Sequence, residues 1–506
     1  MTGITHSVAL VGVDGAVVQV EAHVGGGLPR TVLVGLPDAS LYEARDRCKA
    51  AVKGSGLVWP DQLLTINLSP ATLPKSGSHY DIAIVAAVMV CQGTAPDAMT
   101  RDTVMLGEVG LSGVVRPVRG VLPALLAAVE AGFTRAIVPA EQVAEARLVD
   151  GLELFGVGSL ADLVDVLKGG SGVTAPPLPP TAEATPLAPV ADFAEVSGQP
   201  EARWALEVAA AGRHHVLLQG PPGVGKTMLA SRLPGILPPL AHSEALEVSA
   251  IHSLAGIAID GLVRTPPFAD PHRAASMAAM VGGGSRSIRP GAISLAHRGV
   301  LFLDEAPEFS PRVLEALRTP LEAGEVYIAR AEARARFPAR FQLVMAANPC
   351  PCGFFGSTQQ QCRCTPHAVR TYQQRLSGPV IDRIDIHQTL HQQAPTVARQ
   401  RAQGESSLVI RARVAEARDR QARRLRHTGC TTNGELPGPL LRTLPIPQGL
   451  EMLDGALKRG QLSLRGIDKV WKVAWTIADL AGSDTIRRSH LATALAMRQH
   501  QTGAAA

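Results

Sequence analysis

Hydrophobic and polar positions change rhythm along the chain. Through residues 1–168, short apolar runs of strand character (VALVGVDGAVVQVEA, TVLVGLP, LLTINLS, AIVPA) alternate with helical ones (SLYEARDRCKAAVKGSG, DIAIVAAVMVCQG). That alternation predicts a mixed α/β domain. Residues 169–192, GGSGVTAPPLPPTAEATPLAPVAD, lack an apolar period and are rich in Pro, Ala and Gly, which predicts an extended, semi-rigid linker. Over 193–395 the helical PEARWALEVAAAG leads into the strand HVLLQ and a glycine-rich loop, and GVLFLDE and RFQLVMAANP follow as short buried strands. This is the rhythm of a parallel sheet with crossover helices. Residues 396–506 turn mainly helical (VIRARVAEARDRQARRLR, a run around 448–459, KVWKVAWTIADLAG, RRSHLATALAMRQH), as a helical lid on an α/β core would. The sequence has no internal repeat.

Composition adds limits. At 506 residues the chain is too long for one hydrophobic core. Hydrophobic residues at 46% and charged residues at 18% are ordinary for an α/β protein. No apolar run reaches the ~18 residues that span a bilayer, MTGITHSVALVGVDG lacks the marks of a secretory signal, and seven clustered cysteines make no disulfide framework. The expectation is a cytoplasmic protein without membrane association. The net charge of +5 is modest, but residues 401–427 hold eight arginines against Glu405, Glu416 and Asp419. This run reads either as a solvated basic helix face or as a surface for an acidic partner. Aromatics at 4% argue against single-strand binding by base stacking and favour phosphate contacts.

The chemistry concentrates after the linker. Gly220-Pro221-Pro222-Gly223-Val224-Gly225-Lys226-Thr227 matches the phosphate-binding loop in full, between an apolar strand and a helix. Glycines let backbone N–H groups wrap phosphates where a side chain would collide. Lys226 is placed for the β- and γ-phosphates of ATP and Thr227 for Mg²⁺, and the helix start adds its partial positive charge. Val300-Leu301-Phe302-Leu303-Asp304-Glu305 ends an apolar strand in two carboxylates at the sheet edge where ligands bind. Asp304 suits the Mg²⁺ shell and Glu305 suits polarising the attacking water. Asn348, ending another strand, is assigned to orienting that water or sensing the γ-phosphate. Phosphoryl transfer also draws on a guanidinium, which ring ATPases supply from the next subunit. Arg383 is the candidate finger and Arg375 the fallback, while Arg465 is assigned to the γ-phosphate of its own subunit. Cys350, Cys352, Cys362 and Cys364 fall within fifteen positions. Four thiolates can close a tetrahedral Zn²⁺ site, although one residue between paired cysteines is tight for chelation; the alternative is a turn-rich loop of reduced thiols.

With these residues in place the chain resembles, over nearly its whole length, the magnesium-chelatase-like AAA+ proteins of the ComM/YifB type. The matching segments include VGLPDAS, INLSPATLPKSGSHYDI, MLGEVGLSGVVRPVRGVLPALLAA, MVGGGSRSIRPGAISLAHRGVLFLDE, ARFPARFQLVMAANPCPCG and RLSGPVIDRIDIH. The resemblance implies a homo-hexameric ring motor acting on DNA, a helicase driving branch migration during recombination in natural transformation. It also implies a Lon-protease-like (S5 domain 2-like) first domain. Here His79 stands where that fold's nucleophilic serine belongs and Leu122 where its lysine belongs, so peptidase chemistry is not expected. In such rings a β-hairpin insert points into the pore. EVYIARAEARARFPAR, turning near Ala331-Glu332-Ala333, fits one, with Arg330, Arg334, Arg336 and Arg340 as a phosphate track. A second insert, about 251–296, carries Arg286 and Arg289 as further candidates for DNA contact; the alternative for the arginines of both inserts is pairing with acids across a subunit interface. Two departures from the family stand out, Ala306 after Asp304-Glu305 and Asp270-Pro271-His272-Arg273 in place of a paired-His segment, and neither is expected to touch a nucleotide-binding role. The alternative function is a chelatase-type motor that remodels a protein for metal insertion. A non-enzymatic scaffold is opposed by the complete set of Lys226, Asp304, Glu305 and Asn348.

Overall fold

The computed structural model describes residues 2–35, 39–172, 191–284, 288–329, 334–357, 360–376, 378–392 and 404–498. In the first domain, β1 (Thr2–Val11) and β2 (Asp14–Gly25) form a long antiparallel hairpin. Its tight turn passes through Gly12 at φ +70°, a conformation that glycine adopts without strain. With β3 (Arg30–Val34), β4 (Leu63–Ser69), β5 (Thr103–Met105), and beyond the small ribbon of β6 (Glu108–Val109) and β7 (Val115–Arg116), the strands β8 (Arg135–Pro139) and β9 (Glu153–Val157) complete the set. They make a seven-stranded mixed sheet in the order β3-β4-β2-β1-β5-β8-β9. The helix Asp81–Cys91 is buried along its whole length, as its nearly unbroken apolar sequence requires. Its one carboxylate, Asp81, receives Arg47 at 2.7 Å and the Val109 N–H at 3.1 Å. His79 contacts the Val8 carbonyl at 2.9 Å, and Leu122 is buried in the domain core with its N–H on Glu145.

The second unit is built on β10 (Val216–Gln219), β11 (Phe268–Ala269), the paired β12 (Gly282–Gly283) and β13 (Arg289–Pro290), β14 (Val300–Leu303), the hairpin β15 (Glu325–Ala329) and β16 (Arg334–Pro338), β17 (Gln342–Ala347) and β18 (Ile386–Thr389). Five of these form an all-parallel sheet in the order β11-β14-β17-β10-β18. Strands β14 and β17 are buried at every residue, which is why they read as unbroken apolar runs rather than alternating ones.

The C-terminal part is helical, with Ser407–Leu425, Glu451–Lys458, Leu464–Leu480 and Arg488–Arg498. It shares one hydrophobic core with the helices Pro200–Gly212 and Lys226–Ile236, around the buried Trp475. The basic run changes meaning here. Arg411 donates to the Gly235 carbonyl at 2.9 Å, Arg418 to the Ala210 carbonyl at 2.7 Å and Arg420 to the Asp479 carbonyl at 2.6 Å. Arg413 pairs with Glu207 and Glu405, and Arg424 with Asp479. Neither a solvated face nor an open basic surface describes these five arginines, whereas Arg423 and Arg426 are exposed and Arg401 lies outside the described residues. Carbonyls in the last turn of a helix lack partners within it, and the guanidiniums fill that need while stapling the C-terminal helices to the core.

The first domain docks on the second in two places. The helix His242–Ala255 places Ala250 and Leu246 in the first domain's core, and Gly120 N–H donates to the Ser253 carbonyl at 3.3 Å. The β1–β2 turn meets the β15–β16 hairpin, with Asp14 paired to Arg336 at 2.9 Å and Val13 N–H on the Arg336 carbonyl at 3.3 Å.

Candidate nucleotide site

The strand order assembles the site. Because β17 lies between β10 and β14, the loop after β10, Asn348 after β17 and the carboxylates after β14 converge on one sheet edge. The loop turns at Gly223 and Gly225, with φ +78° and +92°, and the helix Lys226–Ile236 starts from it. Lys226 Nζ donates to the carbonyls of Gly220 at 2.7 Å and Pro221 at 2.9 Å and to Asn348 Oδ1 at 2.9 Å. Burial lowers its pKa from the usual lysine value, with Asp304 and Glu305 opposing the shift. Thr227 Oγ1 donates to Asp304 Oδ2 at 2.7 Å. A hydroxyl and a carboxylate at this separation are hard oxygen ligands that fit Mg²⁺. Glu305 sits at φ +50°, with its N–H on Asp304 Oδ1 at 2.9 Å.

Glu305 also pairs with Arg273, and burial, aided by the neighbouring Asp304, raises the Asp270 carboxyl above its ordinary value. The expectation that the Asp270–Arg273 segment stays clear of the nucleotide residues is therefore corrected. This segment follows edge strand β11, the parallel neighbour of β14, and so emerges beside Asp304 and Glu305. Its position directly after a strand was the available signal. Ala306, by contrast, is buried in the core. Both partners of the Arg273–Glu305 pair are about half exposed, so the pair is worth no more than about 1 kcal/mol. Arg273→Ala is expected to free Glu305 and raise basal ATP hydrolysis by no more than about five-fold. A steady-state ATPase assay giving an unchanged or slower rate would show that the pair does not restrain the carboxylate.

The arginines divide between the two ends of the sheet. Arg383 precedes β18, where Asp385 accepts the His215 N–H at 2.8 Å just before β10 begins. The phosphate loop follows β10, so a four-residue strand, roughly 13 Å, separates the two. Arg383 contacts Glu322 and donates to the Pro379 carbonyl at 2.6 Å. Arg465 meets the same Glu322 at 3.4 Å and Asp382 at 3.6 Å. Contact between Arg465 and its own chain's γ-phosphate does not fit this arrangement, because the register puts it with Arg383 at the far end. Arg375 instead pairs with Glu308 at 3.3 Å, one turn beyond Glu305.

In the inserts, Arg286 and Arg330 lie outside the described residues. Arg289 is exposed on β13. Arg334 is exposed and stacks over the Tyr327 ring at 4.2 Å, whereas Arg336 is held by Asp14 and Glu325. The latter corrects the assignment of Arg336 to the phosphate track, since two carboxylates already engage its guanidinium. Beyond Asn348, the four cysteines bring their sulfurs within 4.8 Å of one another. Cys350 lies 3.4 Å from Cys352 and 3.7 Å from Cys362, and Cys352 lies 3.6 Å from Cys362. A tetrahedron with Zn–S bonds of about 2.3 Å has edges of roughly 3.8 Å, so the donor set fits zinc despite the single-residue spacing.

A parallel sheet with a phosphate loop, a hydrogen-bonded Thr227–Asp304 pair, a terminal Glu and an Asn on the intervening strand defines an ATPase of the AAA+ class. Residues 192–397 match the family described as magnesium chelatase, subunit ChlI, 20–142 match subunit ChlI of Mg-chelatase, and 404–498 match its C-terminal part. An uncharacterized protein of Mycobacterium tuberculosis is 52% identical over 99% of both chains. YifB of Escherichia coli is 40% identical over 98% of this chain and 96% of its own, and the competence protein ComM of Haemophilus influenzae 38% over 98% and 97%. The chain belongs to the ComM/YifB-type magnesium-chelatase-like family. No helix among the described residues is long and apolar enough to cross a membrane.

Proposed function

We propose that the protein is an ATP- and Mg²⁺-dependent ring motor acting on DNA, a homo-hexameric, cytoplasmic helicase that promotes branch migration during recombination. The observation that carries this reading is mechanical. Hairpin β15–β16, with Arg334 exposed on it, runs into β17 after three residues, and Asn348 in the candidate nucleotide site follows β17 directly. A change at the γ-phosphate thus has a short, stiff route to a basic hairpin. The competence name of the Haemophilus relative is consistent with a DNA substrate. In this reading the C-terminal helices are a lid. The first domain, a Lon-like fold without its dyad, anchors the hairpin through Asp14 and Arg336.

The test is ATP hydrolysis with and without DNA, followed by branch migration on three- and four-stranded substrates. Stimulation and strand movement are expected. Arg334→Glu should leave basal hydrolysis intact, abolish stimulation by DNA and make the salt dependence of DNA binding shallower by about one unit of log–log slope. Normal strand movement by this variant would exclude the hairpin as the moving element. The family descriptions favour a second reading, a chelatase-type motor that remodels a protein partner for metal insertion. Hydrolysis indifferent to every form of DNA would support it.

The cysteine cluster we assign as a structural zinc site holding about one ion per chain, to be checked by metal analysis after purification without chelators.

A further inference from the structure

We propose that the tetrathiolate zinc site braces the nucleotide site, so that its occupancy controls ATP turnover. This rests on the zinc assignment above and adds a function to it. Cys350 follows Asn348 with only Pro349 between them, and proline fixes its own φ, leaving little slack. The Cys350 side chain is fully buried, and its sulfur accepts the Phe355 N–H at 3.3 Å. Between Cys352 and Phe355 the chain turns at Gly353, with φ +86°, directly against the phosphate loop. A Cβ added at Gly353 would lie 2.5 Å from Pro222 Cδ, well inside contact distance.

The other two cysteines lead into a helix on the same site. Cys362 and Cys364 precede Pro366–Gln374, whose first turn is capped by Thr365. Gln373 near its end donates to the Pro349 carbonyl at 3.1 Å. Arg375, one residue past the helix, pairs with Glu308. Tying Cys350 and Cys352 to Cys362 and Cys364 through one ion closes a loop that backs Asn348 on one side and Pro222 on the other. Without that tie, four thiols remain as neighbours with weak mutual attraction, and the backing of both elements depends on loop packing alone. The ion does no chemistry on ATP; it fixes where Asn348 Oδ1 and the loop backbone stand.

Three measurements on the full-length protein test this. Zinc content is read by metal analysis, nucleotide affinity with a fluorescent ATP analogue, and turnover by ATP hydrolysis in excess Mg²⁺. Stripping the wild type with a zinc-selective chelator should lower hydrolysis at least ten-fold, and adding Zn²⁺ back should restore it. The double variant Cys352→Ser, Cys362→Ser should lack zinc and match the stripped protein. Gly353→Ala should retain zinc yet lose turnover and bind the analogue more weakly, because its methyl group displaces the phosphate loop. Purified protein that holds no zinc and gains none from added Zn²⁺ overturns the zinc assignment and the brace with it. Zinc present but removable with no loss of turnover or analogue affinity leaves the assignment standing and overturns the brace alone. Reversible recovery in the wild type distinguishes bracing from misfolding in the variants.

Discussion

Lys226→Ala is expected to abolish ATP hydrolysis, and Glu305→Gln to bind ATP while turning it over at least ~10²-fold more slowly. The two effects differ because the residues do different work. Lys226 Nζ stands at the centre of the site, on two loop carbonyls and on Asn348. Each of those contacts is one that phosphate oxygens can replace, and its charge offsets the negative charge of the β- and γ-phosphates. Alanine removes both the grip and the charge. The Glu305 side chain takes no part in the Thr227–Asp304 pair that suits Mg²⁺, and its N–H on Asp304 is backbone, so a glutamine should leave metal and nucleotide binding in place. What it loses is a carboxylate able to polarise water. Equilibrium binding of a fluorescent ATP analogue beside steady-state hydrolysis separates the cases. Normal hydrolysis by Glu305→Gln would remove Glu305 from the role of base and turn attention to Asp304 or Asp270.

How much of this site could be read from the sequence depended on how local each signal was. The phosphate loop and the Asp304-Glu305 strand end are contiguous patterns whose neighbours fix their geometry, so residue types and spacing sufficed to expect them at one end of the sheet, where the structure brings them together. Asn348 was legible because a buried strand ending in a polar residue has one natural place in a parallel sheet. Arg273 was not, because its pairing with Glu305 depends on β11 lying next to β14, a fact of strand order that no local pattern carries. Arg465 failed for a related reason. Its position at the start of a helix was readable, but the end of the sheet on which that helix docks is set by distant contacts, such as Lys469 on Asp385 at 2.7 Å. The basic run at 401–427 shows the limit of charge counting. A count gives the number of guanidiniums and cannot say that Arg411 and Arg418 meet helix-end carbonyls. The α/β character of both large units followed directly from apolar periodicity.

Arg383→Ala is expected to slow ATP hydrolysis by about 10³-fold, the scale for a missing arginine finger, while ATP binding persists. Arg465→Ala should shift in the same direction, since both guanidiniums share Glu322. Within one chain neither can reach the phosphates, because Asp385, the His215 N–H and the start of β10 all mark the opposite end of the sheet. In a ring, that end of one subunit is available to face the phosphate loop of the next. The arrangement makes a specific demand on mixtures. An Arg383→Ala subunit keeps an intact loop, and a Lys226→Ala subunit keeps an intact finger. Where the finger of the second meets the loop of the first, one complete site forms from two inactive proteins. Hydrolysis in the mixture should therefore exceed the sum of the separate rates and pass through a maximum as the ratio is varied. A mixture no faster than its parts, with subunit exchange confirmed by labelled chains, would place Arg383 outside the partner's site. Its burial against Glu322 and Pro379 would then be a purely structural contact at the base of β18.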